Sequence, residues 1–182
     1  MTQSNYPGGL VSLMTAADEA PLDAAVPNTA AADALSTLDL TAAFAPARIT
    51  DWQMAKACHS GLWLLHNFLD ESHVVSQDIE TNTGSFWHGI MHRREGDYSN
   101  AKYWFRRVGD HPVYESLAVA ANQLAPDSFP NANDWNPFDF VDCCETAVRG
   151  RAGGDEILRR ISRVEWELLF DYCFLHSTAA AS

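Results

Sequence analysis

The sequence predicts an all-α fold: an antiparallel helical bundle with a loosely packed N-terminal arm. Three observations predict it. Apolar residues recur at spacings of three and four, as in the series Ile157, Ile161, Val164, Leu168, Tyr172 and Leu175. Candidate helix starts carry capping chemistry, such as Thr50-Asp51-Trp52-Gln53 and Asn136-Pro137. No segment alternates apolar and polar residues as a half-buried strand requires.

The 182 residues divide by charge. Residues 1–47 hold five acids (Asp18, Glu19, Asp23, Asp33, Asp39) and no Lys or Arg, so they form an acidic, Ala/Pro-rich arm. Pro21 and Pro27 interrupt any long helix there. Around Leu35, Leu38 and Leu40 a short helix is expected, closing near Pro46. Residues 48–182 are expected to form a single all-helical domain. The whole chain carries a formal charge of −12, which argues against a protein that coats nucleic acid, since that role needs a basic footprint. No apolar run reaches the roughly 18 residues of a membrane span. Residues 1–15 lack the basic start and apolar core of a secretory signal. Cys58, Cys143, Cys144 and Cys173 form no C-x-x-C pair. They read as reduced, mostly buried thiols, and a cytoplasmic location is expected.

From Thr50, the expected N-cap, to about Ile79 only Gly61 weakens a helix, so one long helix is predicted. Its Leu62-Trp63-Leu64-Leu65 segment is apolar all round and is expected to be buried on more than one face. Thr81 to Gly84 form a turn, and a second helix follows from about Ser85 to Gly96. Asp97 or Ser99 caps a third helix, which ends at Gly109 and Pro112. Further helices are predicted over about 113–124, from Asn136-Pro137 to about Val148, and from Asp155 onward, the last two separated by a linker at 150–154.

The stretch GDYSNAKYWFRRVGDHP resembles one tetratricopeptide (TPR) unit, whose second helix opens on Gly, Asp or Asn, Tyr and a spaced Ala. No second copy recurs at a 34-residue period, so the resemblance implies a TPR-like hairpin and not an array.

Five of the seven histidines (His59, His66, His73, His88, His92) fall within 34 residues. His66, Asp70, His73 and Gln77 share one stripe of the first long helix; His88, His92 and Glu95 share one stripe of the next. A short turn makes these helices antiparallel, with facing residue numbers summing to about 164. His73 then faces His88 and His92, and Asp70 falls beside Glu95. Facing imidazoles and carboxylates are how helical bundles hold divalent metals, with His73, His88 and His92 as ligands. A His–carboxylate pair also serves as a general base with its orienter. Gly89 stands where the zinc-peptidase motif H-E-x-x-H has its glutamate, which excludes that family. The same residues fit a purely structural polar seam, each imidazole donating to a neighbouring carboxylate or carbonyl. Arg93 and Arg94 add bidentate donors for a small acidic ligand; salt bridges on the hairpin surface are the alternative use of the local basic residues. His111, before Pro112, is expected to close a turn, and Trp87, Tyr103, Trp104 and Phe105 to be core or an aromatic pocket. Arg159, Arg160 and Arg163 with Glu165 and Glu167 read as a solvated, ion-paired face.

The block Asp70-Glu71-Ser72-His73, then Trp87-His88 to Asp97, then Asn100 to Arg107 is similar to a block carried by a family of uncharacterised bacterial proteins. The resemblance spans residues 61–113 and implies no activity, because none is assigned to that family. Two functions stay open at this point. One is a soluble helical protein binding a divalent metal, a small acidic ligand or both at His73, His88, His92, Asp70, Glu95, Arg93 and Arg94. The other is a TPR-like interaction module without catalysis, gripping a peptide on a face bearing Asn100, Lys102 or Arg106.

Overall fold

The computed structural model of the chain describes residues 6–14, 20–150 and 155–178. Among them are ten α-helices and no strand beyond an isolated bridge between Ile49 and Thr178. The helices are α1 (Gly8–Met14), α2 (Ala32–Ser36), α3 (Leu40–Phe44), α4 (Trp52–Leu65), α5 (Leu69–Gln77), α6 (Asn82–Glu95), α7 (Tyr98–Val108), α8 (Val113–Leu124), α9 (Pro137–Val148) and α10 (Asp155–Ser177). Asp18, Glu19 and residues 151–154 of the expected linker lie outside the described residues.

Several starts follow their caps. Asp97 accepts the Asn100 amide and opens α7, while Asn136 accepts from Phe138 and Asp139 with Pro137 behind it. Gly96 ends α6 at φ 90°, a left-handed position that any side chain would strain. The cap of α4 is Asp51, not Thr50: the Asp51 carboxylate accepts from Gln53 and Met54. Thr50 instead turns its amide to the Ser177 carbonyl at 2.8 Å, tying this helix start to the end of α10.

The predicted long helix breaks in two. His66 closes α4, and Asn67 adopts φ 65°. The Phe68 amide reaches back to the Trp63 carbonyl and the Asn67 amide to the Leu64 carbonyl, the pattern of a Schellman end. Asn tolerates the left-handed region better than most residues, so Asn67 stops the helix where no Gly or Pro stands.

The stretch expected as a loosely packed arm joins the core over its described residues. Leu10, Leu22, Leu35 and Phe44 are fully or almost fully buried, against α4 and α10 neighbours such as Phe174. His66 fastens it, with Nε2 2.9 Å from the Leu13 carbonyl and Nδ1 3.0 Å from the Asn28 amide nitrogen. The buried side of α10 also differs from the predicted stripe. Ile157 and Leu175 are exposed, and Ile161, Trp166, Leu169, Phe170, Cys173 and Phe174 face inward. The bulky rings decide the face, because Trp166 and Phe170 stack 4.8 Å apart and remove more apolar area from water.

Helix α6 is the centre of the bundle, packed by α4, α5, α7 and α9. Every residue from Thr83 to Arg94 is buried. Close approach is allowed by Gly61 on α4, where a Cβ would come within 2.8 Å of Trp87, and by Gly89, where one would meet Phe105 at 3.1 Å. Polar groups on such a helix need partners. Arg93 forms a two-pronged ion pair with Glu165 of α10, both buried. Burial pushes the Arg93 guanidinium toward deprotonation, but the Glu165 carboxylate outweighs it and raises its pKa. Glu165 is therefore a core residue and not part of a solvated face; Arg163–Glu167 and Arg159–Asp155 make that face without it. The Cys58, Cys143, Cys144 and Cys173 thiols are free, and all but half-buried Cys143 are buried.

Removing one partner of the buried pair leaves a charge in the core, so Glu165→Ala is expected to destabilise by about 3–5 kcal/mol in urea unfolding. The double variant Arg93→Met, Glu165→Leu is expected to recover most of that loss.

Candidate metal centre

Helices α5 and α7 flank α6, and three imidazoles meet between them. His73 comes from α5, and His88 and His92 come from α6, one turn apart. Ring centroids stand 4.6 Å apart for His73–His88, 5.4 Å for His73–His92 and 4.7 Å for His88–His92. One nitrogen of each lies within 4.8 Å of the others. His88 and His92 are buried and His73 is half-buried, so the group opens to the surface on the α5 side.

Two of the rings are held by a second set of contacts. The Ser76 hydroxyl donates to the His73 carbonyl and lies 3.2 Å from His88 Nδ1. With its proton committed, that hydroxyl accepts from the His88 Nδ1–H, and Nε2 keeps its lone pair. The indole of Trp104 lies over the same imidazole with centroids 3.9 Å apart. His92 Nδ1 donates to Glu95 Oε2 at 2.8 Å, leaving its Nε2 as an acceptor as well. Asn100 Nδ2 is 3.1 Å from that Nε2 and 3.4 Å from Nδ1, so the amide lies over the face of the ring. Burial, with the neighbouring imidazoles His92 and His73 adding to it, pushes the His88 pKa down to about 3. The ring is therefore neutral at pH 7, with a lone pair available.

The structure brings His73, His88, His92 and Glu95 together and leaves out three of the predicted residues. Asp70 is exposed in the first turn of α5 and bonds to neither Glu95 nor a histidine. Ser72 and Ser76 set the buried face of α5, and Asp70 lies roughly 160° around the helix from Ser72. Arg93 is spent on Glu165. Arg94 donates to the Leu64 carbonyl at 2.6 Å and to the Asn67 side chain, so it stabilises the end of α4 and offers no open fork to an anion. His59 and His66 leave the cluster too, His59 bonding to the Leu35 carbonyl at 3.0 Å. Their separation follows from the break at Asn67, which ends the common stripe.

Sequence reasoning missed Ser76, passed over Asn100 except as a peptide contact, and placed Trp104 only among aromatic residues. Ser76 lies three residues after His73, a spacing that marks it as a neighbour on the same face. The face expected for a peptide is partly filled: Asn100 is committed to His92, and Lys102 pairs with Asp142 of α9. His111 closes its turn as expected, accepting the Val113 amide at 3.3 Å. Trp87 and Phe105 are core, whereas Tyr103 is half exposed.

Comparison with family models, with characterised proteins and with solved structures finds no match to this chain.

The depressed His88 pKa makes a signed prediction. In the unfolded chain this imidazole protonates near 6.5; in the folded protein it stays neutral down to about 3. The unfolded state therefore binds more protons across that window, and stability falls as the pH drops through it. His111, lowered to about 4 by burial, acts in the same direction. Melting temperature is expected to decline from pH 6.5 downward, less steeply in His88→Gln, and a His88 ring titrating near 6.5 by NMR would contradict this.

Proposed function

We propose that this protein binds a divalent transition metal through His73, His88 and His92, with the half-buried His73 side facing the surface. The observation that carries the reading is the convergence of three imidazole nitrogens within 4.8 Å, on side chains from two helices. Three histidines with further coordination positions open are the ligand set of many catalytic zinc sites, and imidazole also suits nickel, copper and iron.

The contacts behind the ligands support the same reading. Metal-bound histidines commonly donate their second ring N–H to a carboxylate or hydroxyl, which fixes the tautomer. Glu95 supplies that acceptor to His92, and Ser76 supplies it to His88. Tetrahedral ligands about 2.1 Å from zinc stand about 3.4 Å apart, so closing on the ion draws the rings inward by about an ångström. His73, half-buried on α5, is the least enclosed of the three. An acidic small molecule then binds the metal itself at an open position, and Arg93 and Arg94 hold the bundle together. A metal ion there polarises a bound carbonyl or acidifies a bound water, so hydrolytic or hydration chemistry is the class this site would serve.

Protein purified without a nickel column is expected to carry close to one equivalent of a transition metal by mass spectrometry. The double variant His88→Ala, His92→Ala is expected to lose it, and a chelator is expected to lower the melting temperature of the native protein only. Absence of metal, together with melting unchanged by added zinc, cobalt or nickel, rejects the site.

A further inference from the structure

We propose that the cavity at the start of α8 binds a small organic cation, an alkyl- or arylammonium compound that carries an oxygen acceptor away from its charged end. The cavity shares no residue with the histidine cluster, and the proposal is independent of the metal-binding reading. Its volume is about 520 Å³, and it lies between the turn at 110–112, the first turn of α8 and the segment that leads into α9. That is the size of a small-molecule pocket and far more than a lone ion needs.

The first observation that points to a ligand is a pair of donors without acceptors. Tyr114 and Trp135 both line the cavity and are only 8% and 6% exposed. Neither the Tyr114 hydroxyl nor the Trp135 indole N–H has a hydrogen-bond partner in the protein. Buried polar groups are almost always paired, so two orphans on one wall call for an acceptor. The phenol keeps its proton: burial, with the Glu165 and Asp110 carboxylates adding to it, raises its pKa well above the ordinary value. The indole N–H is a donor only. Protein packs around both groups and offers no acceptor, so the cavity is the side from which one arrives.

The second observation is charge. Asp110, Glu115 and Asp134 line the same cavity, are exposed, and take part in no ion pair among the described residues. No Lys or Arg lines it. His111, also on the wall, accepts the Val113 amide at Nδ1 and donates from Nε2 to the Thr83 hydroxyl. Burial lowers its pKa to about 4, so it adds no positive charge at pH 7. Three carboxylates facing one space without a counter-charge favour a cation. They do not form a metal site, because among the described residues only His73, His88 and His92 bring three ligand atoms within 4.8 Å. An organic cation needs no such convergence. Its charge sits among the exposed carboxylates, its carbon skeleton packs on the Tyr114 and Trp135 rings, and its oxygen reaches their two donors.

The probes are acetylcholine and tyramine. Each is compared with an analogue that lacks the charge (a tert-butyl group in place of trimethylammonium, and para-propylphenol) and one that lacks the oxygen (pentyltrimethylammonium, and phenethylamine). The Trp135 indole N–H resonance, assigned with Trp135→Phe, is followed by NMR at millimolar probe. At least one of the two cations is expected to move it downfield and to saturate. The uncharged analogue of that cation is expected to bind at least tenfold more weakly, and its oxygen-free analogue to leave the indole proton without the downfield shift. The triple variant Asp110→Asn, Glu115→Gln, Asp134→Asn is expected to lose at least tenfold in affinity, with circular dichroism melts as a folding control. The double variant His88→Ala, His92→Ala is expected to bind as wild type does. A resonance that neither cation moves overturns the proposal. So does equal binding of the uncharged analogue, or the same downfield shift from the oxygen-free one. These three readings use wild-type protein and so hold even if the triple variant fails to fold.

Discussion

A helix buried on every side has to find partners for most of its polar groups within the protein, and α6 is such a helix. From Thr83 to Arg94 every residue is buried, yet the run holds two histidines, two arginines, a serine and a threonine. An unpaired charge left there costs several kcal/mol, comparable with the whole stability of a domain. The neighbouring elements are consequently chosen by what α6 demands. Glu165 on α10 answers Arg93, the end of α4 answers Arg94, His111 answers Thr83, and Ser76, Glu95 and Asn100 answer the imidazoles.

That arrangement joins stability to the site. Successive residues on a helix point about 100° apart, so fixing the arginines fixes the direction of the histidines beside them. The Arg93–Glu165 pair and the Arg94 contacts set the rotation of α6 about its axis. His88 and His92 are then aimed at His73 of α5 and at the Trp104 side of α7. The two arginines bear on the histidine cluster at a distance, by orientation. Trp104 adds a wall on one side of His88, and the half-buried His73 leaves the other side open.

The local features of the bundle were readable from sequence because they depend on a few adjacent residues. Asp97, Asn136 and Gly96 act within one turn of a helix end, and the pairing of His88 with His92 needs only the helical period. The facing of His73 toward both followed from a short turn between two helices. The break at Asn67 was missed because a left-handed Asn is a weaker signal than Gly or Pro. With that break went the expected stripe of His66, Asp70 and His73. The inward face of α10 was misplaced because apolar spacing counts residues and takes no account of how large rings pack.

The sequence by itself determined where most helices start, that the described residues form helices and no sheet, and which three imidazoles meet. Tertiary packing alone decided that Arg93 pairs with a carboxylate 72 residues away, that Arg94 closes another helix, and that Ser76 and Asn100 surround the histidines. The reason is one of range. Hydrogen bonding and periodicity act over three or four residues, whereas the partner of a buried charge is set by which distant element the close-packed core brings against it.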